Sequence, residues 1–296
     1  MKIGCLGMAT LDTLLFTGQP VYDHEAVTPV DEDVISGGGK GIVCAIAMQR
    51  AGALVSSFAL VGTNSELAGH LPATLDRQYL LPLLDTDNKT WIMVSAAHKV
   101  VTFVARGLVR DRGRALEAVS EFVANVDALY VTIENSAVLR RALQVAAERE
   151  IAVALNPSLP FVEAIHHEDP DLLSTAVSQS SLILCNDWEA PRFLRSAGVY
   201  SWDQLEAPQL EEVVVTGGAA GGKFSNAPFK DWEEYAATPV REVRCVVGAG
   251  DTFNGAYLTA RLVHGLSPED ACRQAADLAA IKVAQKSSAL GPLDID

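Results

Sequence analysis

The run Gly248, Ala249, Gly250, Asp251 stands where an apolar stretch, 243–247, gives way to a helical pattern of apolar residues at Ala256, Leu258, Leu262 and Val263. Two glycines without Cβ let the backbone turn sharply and bring its N–H groups close to a guest. The helix that follows adds unpaired N–H groups and the positive end of its dipole. A phosphate suits such a cradle. Asp251 then places a second anion at its mouth. Two readings of that carboxylate stand side by side. One is a helix N-cap, a role that Asp favours. The other is a base that takes a proton from a hydroxyl while the cradle holds the charge developing on a transferred phosphoryl group.

Such a pair needs a scaffold to hold it. From Arg114 onward strand and helix patterns alternate: helices over 115–124, 137–149 and 171–178, and strands over 128–133, 151–155, 181–185 and 212–216. That repetition predicts a parallel sheet covered by helices, with ligands at the carboxyl ends of its strands. Polar residues stand at those ends: Glu134 with Asn135, then Asn156, then Asn186 with Glu189, then Thr216 with Gly217 and Gly218. Nearer the N-terminus, 2–8 reads as a strand, residues 10–12 as a polar break, and 14–16 as extended again. Asp12 is there either a turn former or a ligand contact. The glycines Gly37, Gly38, Gly39 and Gly41 lead into a buried helix over 42–51 closed by Gly52. Their spacing matches neither a Rossmann fingerprint nor a P-loop, and Lys40 among them is either solvated or faces a pocket. A strand over 57–62, a polar turn and a helix through about Asp76 follow, then paired strands over 90–96 and 99–105 around Ala97 and His98.

With 296 residues, 49% of them hydrophobic, the chain can bury a large core. A net charge of −14 and a pI near 4.8 exclude nucleic acid or an anionic membrane as the main partner. A phosphate must therefore be drawn by local dipoles or a few placed cations. The five cysteines are scattered without a CxxC pair and read as reduced, buried thiols of a cytoplasmic protein. No apolar run approaches the ~18 residues of a membrane span, and Gly4, Gly7 and Asp12 interrupt any export signal. Gly217 with Gly222 and Lys223 has P-loop spacing, but Phe224 and Pro228 forbid the hydroxyl and the helix that must follow. A glycine hairpin close to a nucleotide fits better. His166, His167, Glu168 and Asp169 read as a loop, and Asp85, Asp87 and Asn88 as a turn between lid strands. Ala275, Ala276, Ala279 and Ala280 on a helical run over 268–286 either pack that helix or leave room for an adenine ring.

Asp12, Gly38-Gly39-Lys40-Gly41, Leu155-Asn156-Pro157, Asn186-x-x-Glu189, Thr216-x-Gly218 and Gly248-Ala249-Gly250-Asp251 together resemble, in order and spacing, the ribokinase-like carbohydrate kinases of the PfkB family. The resemblance covers nearly the whole chain. It implies one doubly wound α/β domain over 1–296, a mostly parallel sheet flanked by helices, with a small β lid inserted from about 13–35 and 90–105. It implies ATP-dependent phosphorylation of a primary hydroxyl on a small sugar. Asp251 would be the base, and Gly248, Ala249 and Gly250 would form with it the anion hole for the γ-phosphate. Asn186 and Glu189 would hold Mg2+ through water, and Thr216, Gly218 and Gly221 would contact the nucleotide. Asp12, Gly38, Gly39 and Lys40 would meet the substrate, as would Glu134, and two copies would pair through the lid.

Two positions depart from the pattern. Val43 stands where ribokinase-like sequences place an Asn that bonds the sugar, and valine has no hydrogen-bonding group. Cys245-Val246-Val247 replaces a common Asp-Thr-Thr, which removes a carboxylate associated with a potassium site and leaves monovalent-cation activation without its ligand. A nucleoside kinase stays open. So does a phosphosugar kinase, in which Lys40, Arg106, Arg110, Arg112 and Arg114 would meet a substrate phosphate, and so does a non-catalytic sugar or nucleotide sensor. Beside a helix N-terminus Asp251 is expected to be a weak base that mainly aligns the hydroxyl.

Overall fold

The computed structural model describes residues 1–19, 28–132, 135–158, 162 and 169–291. In chain order its elements are β1 (Lys2–Gly7), β2 (Thr10–Thr17), β3 (Glu32–Gly38), α1 (Lys40–Arg50), β4 (Leu54–Gly62), β5 (Tyr79–Leu84), β6 (Asn88–Ser95) and β7 (Val100–Ala105). There follow α2 (Arg112–Ala124), β8 (Ala128–Thr132), α3 (Ser136–Glu148), β9 (Ala152–Leu155), α4 (Pro170–Ser178), β10 (Ser180–Asn186) and α5 (Ala190–Ser196). The remainder comprises β11 (Glu212–Thr216), β12 (Gly222–Asn226), β13 (Glu233–Tyr235), α6 (Ala249–Leu258) and α7 (Pro268–Val283).

Nine strands form one sheet in the order β13-β12-β11-β10-β9-β8-β1-β4-β5. The seven from β11 to β5 run parallel, and β12 and β13 add an antiparallel edge. Helices cover both faces, which is why β8 is buried along its whole length and reads as an apolar run up to Thr132. Phe58, Phe122, Leu139, Leu172 and Phe193 fill the core under α2 to α5. Ile42, Met48, Phe253, Tyr257 and Cys272 fill the opposite core under α1, α6 and α7. All five cysteines are free and buried. Among the described residues no helix is long and apolar enough to cross a membrane.

Four strands form a second, smaller sheet in the order β3-β2-β6-β7. Its inner face buries Leu14, Ile92 and Val94 against Cys245, with Phe16, Val34 and Val247 packed beside them. The lid therefore rests on the segment just ahead of the glycine cradle. On its outer face Ile35, Trp91 and Phe103 are exposed. Ile35 and Trp91 both lie opposite Thr13, and Phe103 opposite Trp91, so they form one row across the strands.

Three local expectations need correction. The polar break at 10–12 does not exist: β2 runs through it, because Asp12 lies opposite Ser36 and Thr90 in the ladder and its carboxylate accepts from the hydroxyls of Thr10 and Thr90. The helix through Asp76 is replaced by one 3-10 turn, Leu67–His70; Pro72 follows at once and cannot donate the backbone bond that would extend it. The turn at 85–87 joins the main-sheet edge β5 to the lid strand β6, not two lid strands. Asp87 is buried there and accepts from the backbone N–H groups of Gly62 (2.8 Å) and Glu66 (3.0 Å). His166, His167 and Glu168 lie outside the described residues, and Asp169 pairs with Arg140.

Candidate active site

Gly248 is the N-cap of α6 with φ +76°, a left-handed conformation natural to glycine. A Cβ on it would also fall 2.0 Å from the Ser288 carbonyl oxygen. Two constraints thus require glycine at the turn. A Cβ on Gly250, by contrast, would meet nothing within 4 Å, so the cradle opens on that side. Asp251 lies in the first turn of α6, past the cap, and makes no capping hydrogen bond. The capping reading of Asp251 is therefore closed.

Four charged side chains from four parts of the fold act on the Asp251 carboxylate. Burial is the largest influence and pushes its pKa up to about 6; Lys40 and Lys282 pull it down, Glu189 and Asp12 push it further up. The expected weak base is thereby corrected. Desolvation outweighs the pull of the two lysines, and the carboxylate is more basic than an ordinary one. Lys40, in the first turn of α1, lies 3.5 Å from Glu189 Oε1. Asn186 Oδ1 accepts from the N–H groups of Trp188 (3.0 Å) and Glu189 (2.7 Å), and Glu189 Oε2 accepts from the Asn186 N–H at 3.2 Å. That reciprocal turn at the carboxyl end of β10 aims a buried carboxylate toward the cradle.

A cavity of about 650 Å3 lies beside it, lined by Asn186, Thr216, Gly218 and Gly221 from the β10 and β11 ends and by Ala249 and Gly250 of the cradle. Ala276, Ala279 and Ala280 form the opposite wall, and the Tyr235 and Phe253 rings, stacked at 5.4 Å, close one end. The alanines of α7 thus do leave an opening. On the other side of the cradle, Asp12 is 3% exposed and its pKa is raised by burial. Its Oδ2 lies so close over Gly38 that a Cβ there would sit 1.8 Å away. Gly39 has φ +92°, and its Cβ would fall 2.4 Å from the Met8 carbonyl oxygen. A second cavity of about 520 Å3 begins at Gly7 and Met8 and is lined further by Asn88, Arg106, Arg112 and Ser136.

A family model described as pfkB family carbohydrate kinase matches residues 2–295. The chain belongs to that family. Among solved structures, this pfkB kinase is similar to a Burkholderia thailandensis nucleoside kinase in complex with inosine, at 17% identity and TM-score 0.78, covering 99% of this chain and 94% of that one. A Cryptococcus neoformans ribokinase in complex with ADP matches at 19% identity and TM-score 0.78, covering 97% and 94%. A Methanocaldococcus jannaschii nucleoside kinase matches at 17% and 0.72, covering 97% and 93%. At these identities the likeness is one of fold.

The pfkB chain gathers most of its sequence-predicted residues around Asp251, with three exceptions. Glu134 lies outside the described residues. Asn135 caps α3 by accepting from the Val138 N–H at 3.0 Å. Asn156 is buried and donates to the Leu184 carbonyl at 2.8 Å, which ties β9 to β10. Val43 is 2% exposed, and its Cγ1 lies 3.2 Å from where a Gly248 Cβ would sit, so it supports the cradle from beneath. Three contributors were missed. Val243 and Val246 line the nucleotide-sized cavity. Lys282 is wholly buried; it stands three residues after Ala279 and seven after Ala275, a helical spacing that already placed it on the inner face of α7.

Proposed function

We propose that the protein is an ATP-dependent kinase that phosphorylates a primary hydroxyl of a small sugar, with Asp251 as the base. The observation that carries this reading is one turn of chain with two exposures. Ala249 and Gly250 form a wall of the large cavity, while Asp251 in the same turn collects the fields of Lys40, Glu189, Asp12 and Lys282. A nucleotide in the cavity brings its terminal phosphate to the N–H groups at the start of α6, and an acceptor on the Asp12 side brings its hydroxyl to Asp251. The hydroxyl oxygen bonds to the γ-phosphorus, the bond to the bridging oxygen breaks with its electron pair leaving on ADP, and the proton passes to Asp251. A carboxylate with a pKa of about 6 is ionised at neutral pH and ready to accept that proton. The backbone N–H groups hold charge on the moving phosphoryl group without reorganising.

The residues present fit Mg2+ held chiefly through water. Among the described residues no three His, Cys, Asp or Glu side chains gather as a cage, and this cation is commonly kept by one or two carboxylates plus phosphates. Glu189, with Asn186 beside it, would hold it, and when bound it neutralises charge on the β- and γ-phosphates. Thr216, Gly218 and Gly221 would contact the nucleotide. Asp12, Gly38, Gly39 and Lys40 would meet the acceptor.

A phosphosugar acceptor is the second reading, favoured by Arg106 and Arg112 on the wall of the cavity that begins at Gly7. Arg110 and Arg114 are not on that wall. Five free, buried thiols and a use for ATP support a cytoplasmic enzyme. The exposed row Ile35, Trp91 and Phe103 supports pairing of two copies through their lids. An ADP-release assay with MgATP over a panel of sugars, phosphosugars and nucleosides tests the reading. Turnover of a sugar or phosphosugar supports it; turnover of nucleosides alone transfers the acceptor class; ligand-dependent melting shifts with no ADP from any compound would leave a sensor.

A further inference from the structure

Lys282 stands in the last turn of α7 with no exposed surface. Its Nζ donates to the Cys245 carbonyl at 2.9 Å. The N–H groups of Arg244 and Cys245 both donate to the Val283 carbonyl, at 2.8 and 3.1 Å. Three hydrogen bonds thus fasten the end of α7 to the segment that leads into the cradle, and the ammonium, its pKa lowered by burial to about 8, brings positive charge to that seam at neutral pH. Among the described residues no carboxylate lies within ion-pair distance of it. A fully buried lysine without such a partner is costly, and a methionine of similar length would pack there without that desolvation. What sets the position apart is its surroundings. Asp251, Glu189 and Asp12 bring three carboxylates to one cleft, and Lys282 is one of two cations acting on Asp251. The other, Lys40, is bonded to Glu189 and lies open to the cleft.

We propose that Lys282 serves as a built-in monovalent cation: its ammonium clamps the Cys245 carbonyl, fixes the approach to the Gly248–Asp251 cradle and offsets the carboxylates there, so that phosphoryl transfer needs no potassium or sodium ion. This rests on the phosphoryl-transfer reading of the cradle. Lys282 touches no reacting atom and is a positioning residue. Cys245, whose carbonyl Lys282 clamps, also packs against Leu14, Ile92 and Val94 of the lid, so the same side chain links the cradle's approach to the lid's seat.

The full chain is assayed with MgATP and its best acceptor in potassium, sodium or choline chloride at equal ionic strength. Wild type is expected to vary less than about twofold among the salts, and Lys282→Met to lose about tenfold or more in kcat with KM for ATP changed less than about threefold. Lys282→Ala removes a propylammonium fragment, and adding propylammonium is expected to restore about threefold or more of its rate, whereas choline does not. Lys282→Met with wild-type kcat, or wild type activated about tenfold by potassium, overturns the proposal. Melting of the ligand-free proteins supplies a readout that needs no acceptor. Propylammonium is expected to raise the Tm of Lys282→Ala by about 2 °C or more relative to choline and to leave wild type unchanged. Equal responses overturn the proposal. A wild type that turns over nothing in the panel defeats the kinase reading, while the melting comparison still decides the role of Lys282.

Discussion

Replacing Asp251 by Asn separates two effects of one carboxylate. In the folded chain its pKa is raised from 3.8 to about 6, chiefly by burial, so the ionised form is held at a cost to stability. The gap is about two pH units, at ~1.4 kcal/mol for each, which makes the cost about 3 kcal/mol at neutral pH. Its sign follows from proton binding. Between the unfolded and folded values the native state holds more of the proton, so stability is fully present below about pH 4 and is lost as pH rises through about 6. Asparagine resembles the protonated acid in shape and carries no charge. The variant is therefore expected to be more stable than wild type at pH 7.5 by about 3 kcal/mol, or roughly 5 °C in Tm for a chain of this length. The advantage is expected to shrink toward zero near pH 4. Turnover in the ADP-release assay is expected to fall by about 10²-fold or more, the usual contribution of a general base. Thermal melts of both proteins from pH 4 to 8 check the stability half. An Asn variant no more stable than wild type at pH 7.5, or an advantage that ignores pH, refutes the buried-carboxylate argument; a variant keeping more than about a tenth of the rate refutes the base.

Two other perturbations divide structure from function elsewhere. Gly248→Ala places a Cβ against the Ser288 carbonyl at a positive φ and is expected to destabilise by about 2 kcal/mol or more, whereas Gly250→Ala meets open space and is expected to melt within about 1 °C of wild type while losing about tenfold or more in turnover; equal melting losses would contradict the geometry. Phe103→Glu on the exposed lid row is expected to convert a dimer to a monomer in sedimentation, and a monomeric wild type would remove that interface.

Much of the scaffold was legible because its signals are local. The alternation from Arg114 onward set the helices over 112–124 and 136–148 within a few residues, since the apolar spacing of each depends only on its own segment. The helix expected through Asp76 failed for the opposite reason. Its apolar residues Leu67, Leu71 and Leu75 are buried, but a 3-10 turn and irregular chain bury them as well as a helix would. The polar Thr10 and Asp12 suggested a break because their satisfying partner, Thr90, is 78 residues away from Asp12 and invisible to local pattern. Asn156 stood at a strand end like a ligand contact, yet its amide donates to Leu184 inside the sheet.

What the sequence by itself determined is the order of the parts: a glycine turn that can only begin a helix, a carboxylate one residue later, and polar residues at successive strand ends. Each follows from backbone sterics or side-chain period and needs no partner. The tertiary structure decided how strongly those parts act. It buried Asp251 enough to raise its pKa where the helix terminus alone would lower it. It set Val43 beneath Gly248 and Cys245 against the lid, so two departures from the family pattern became packing contacts. It also drew Lys282 from an alanine-rich helix into the seam behind the cradle. Desolvation and long-range packing sum over the whole fold, and no stretch of sequence contains them.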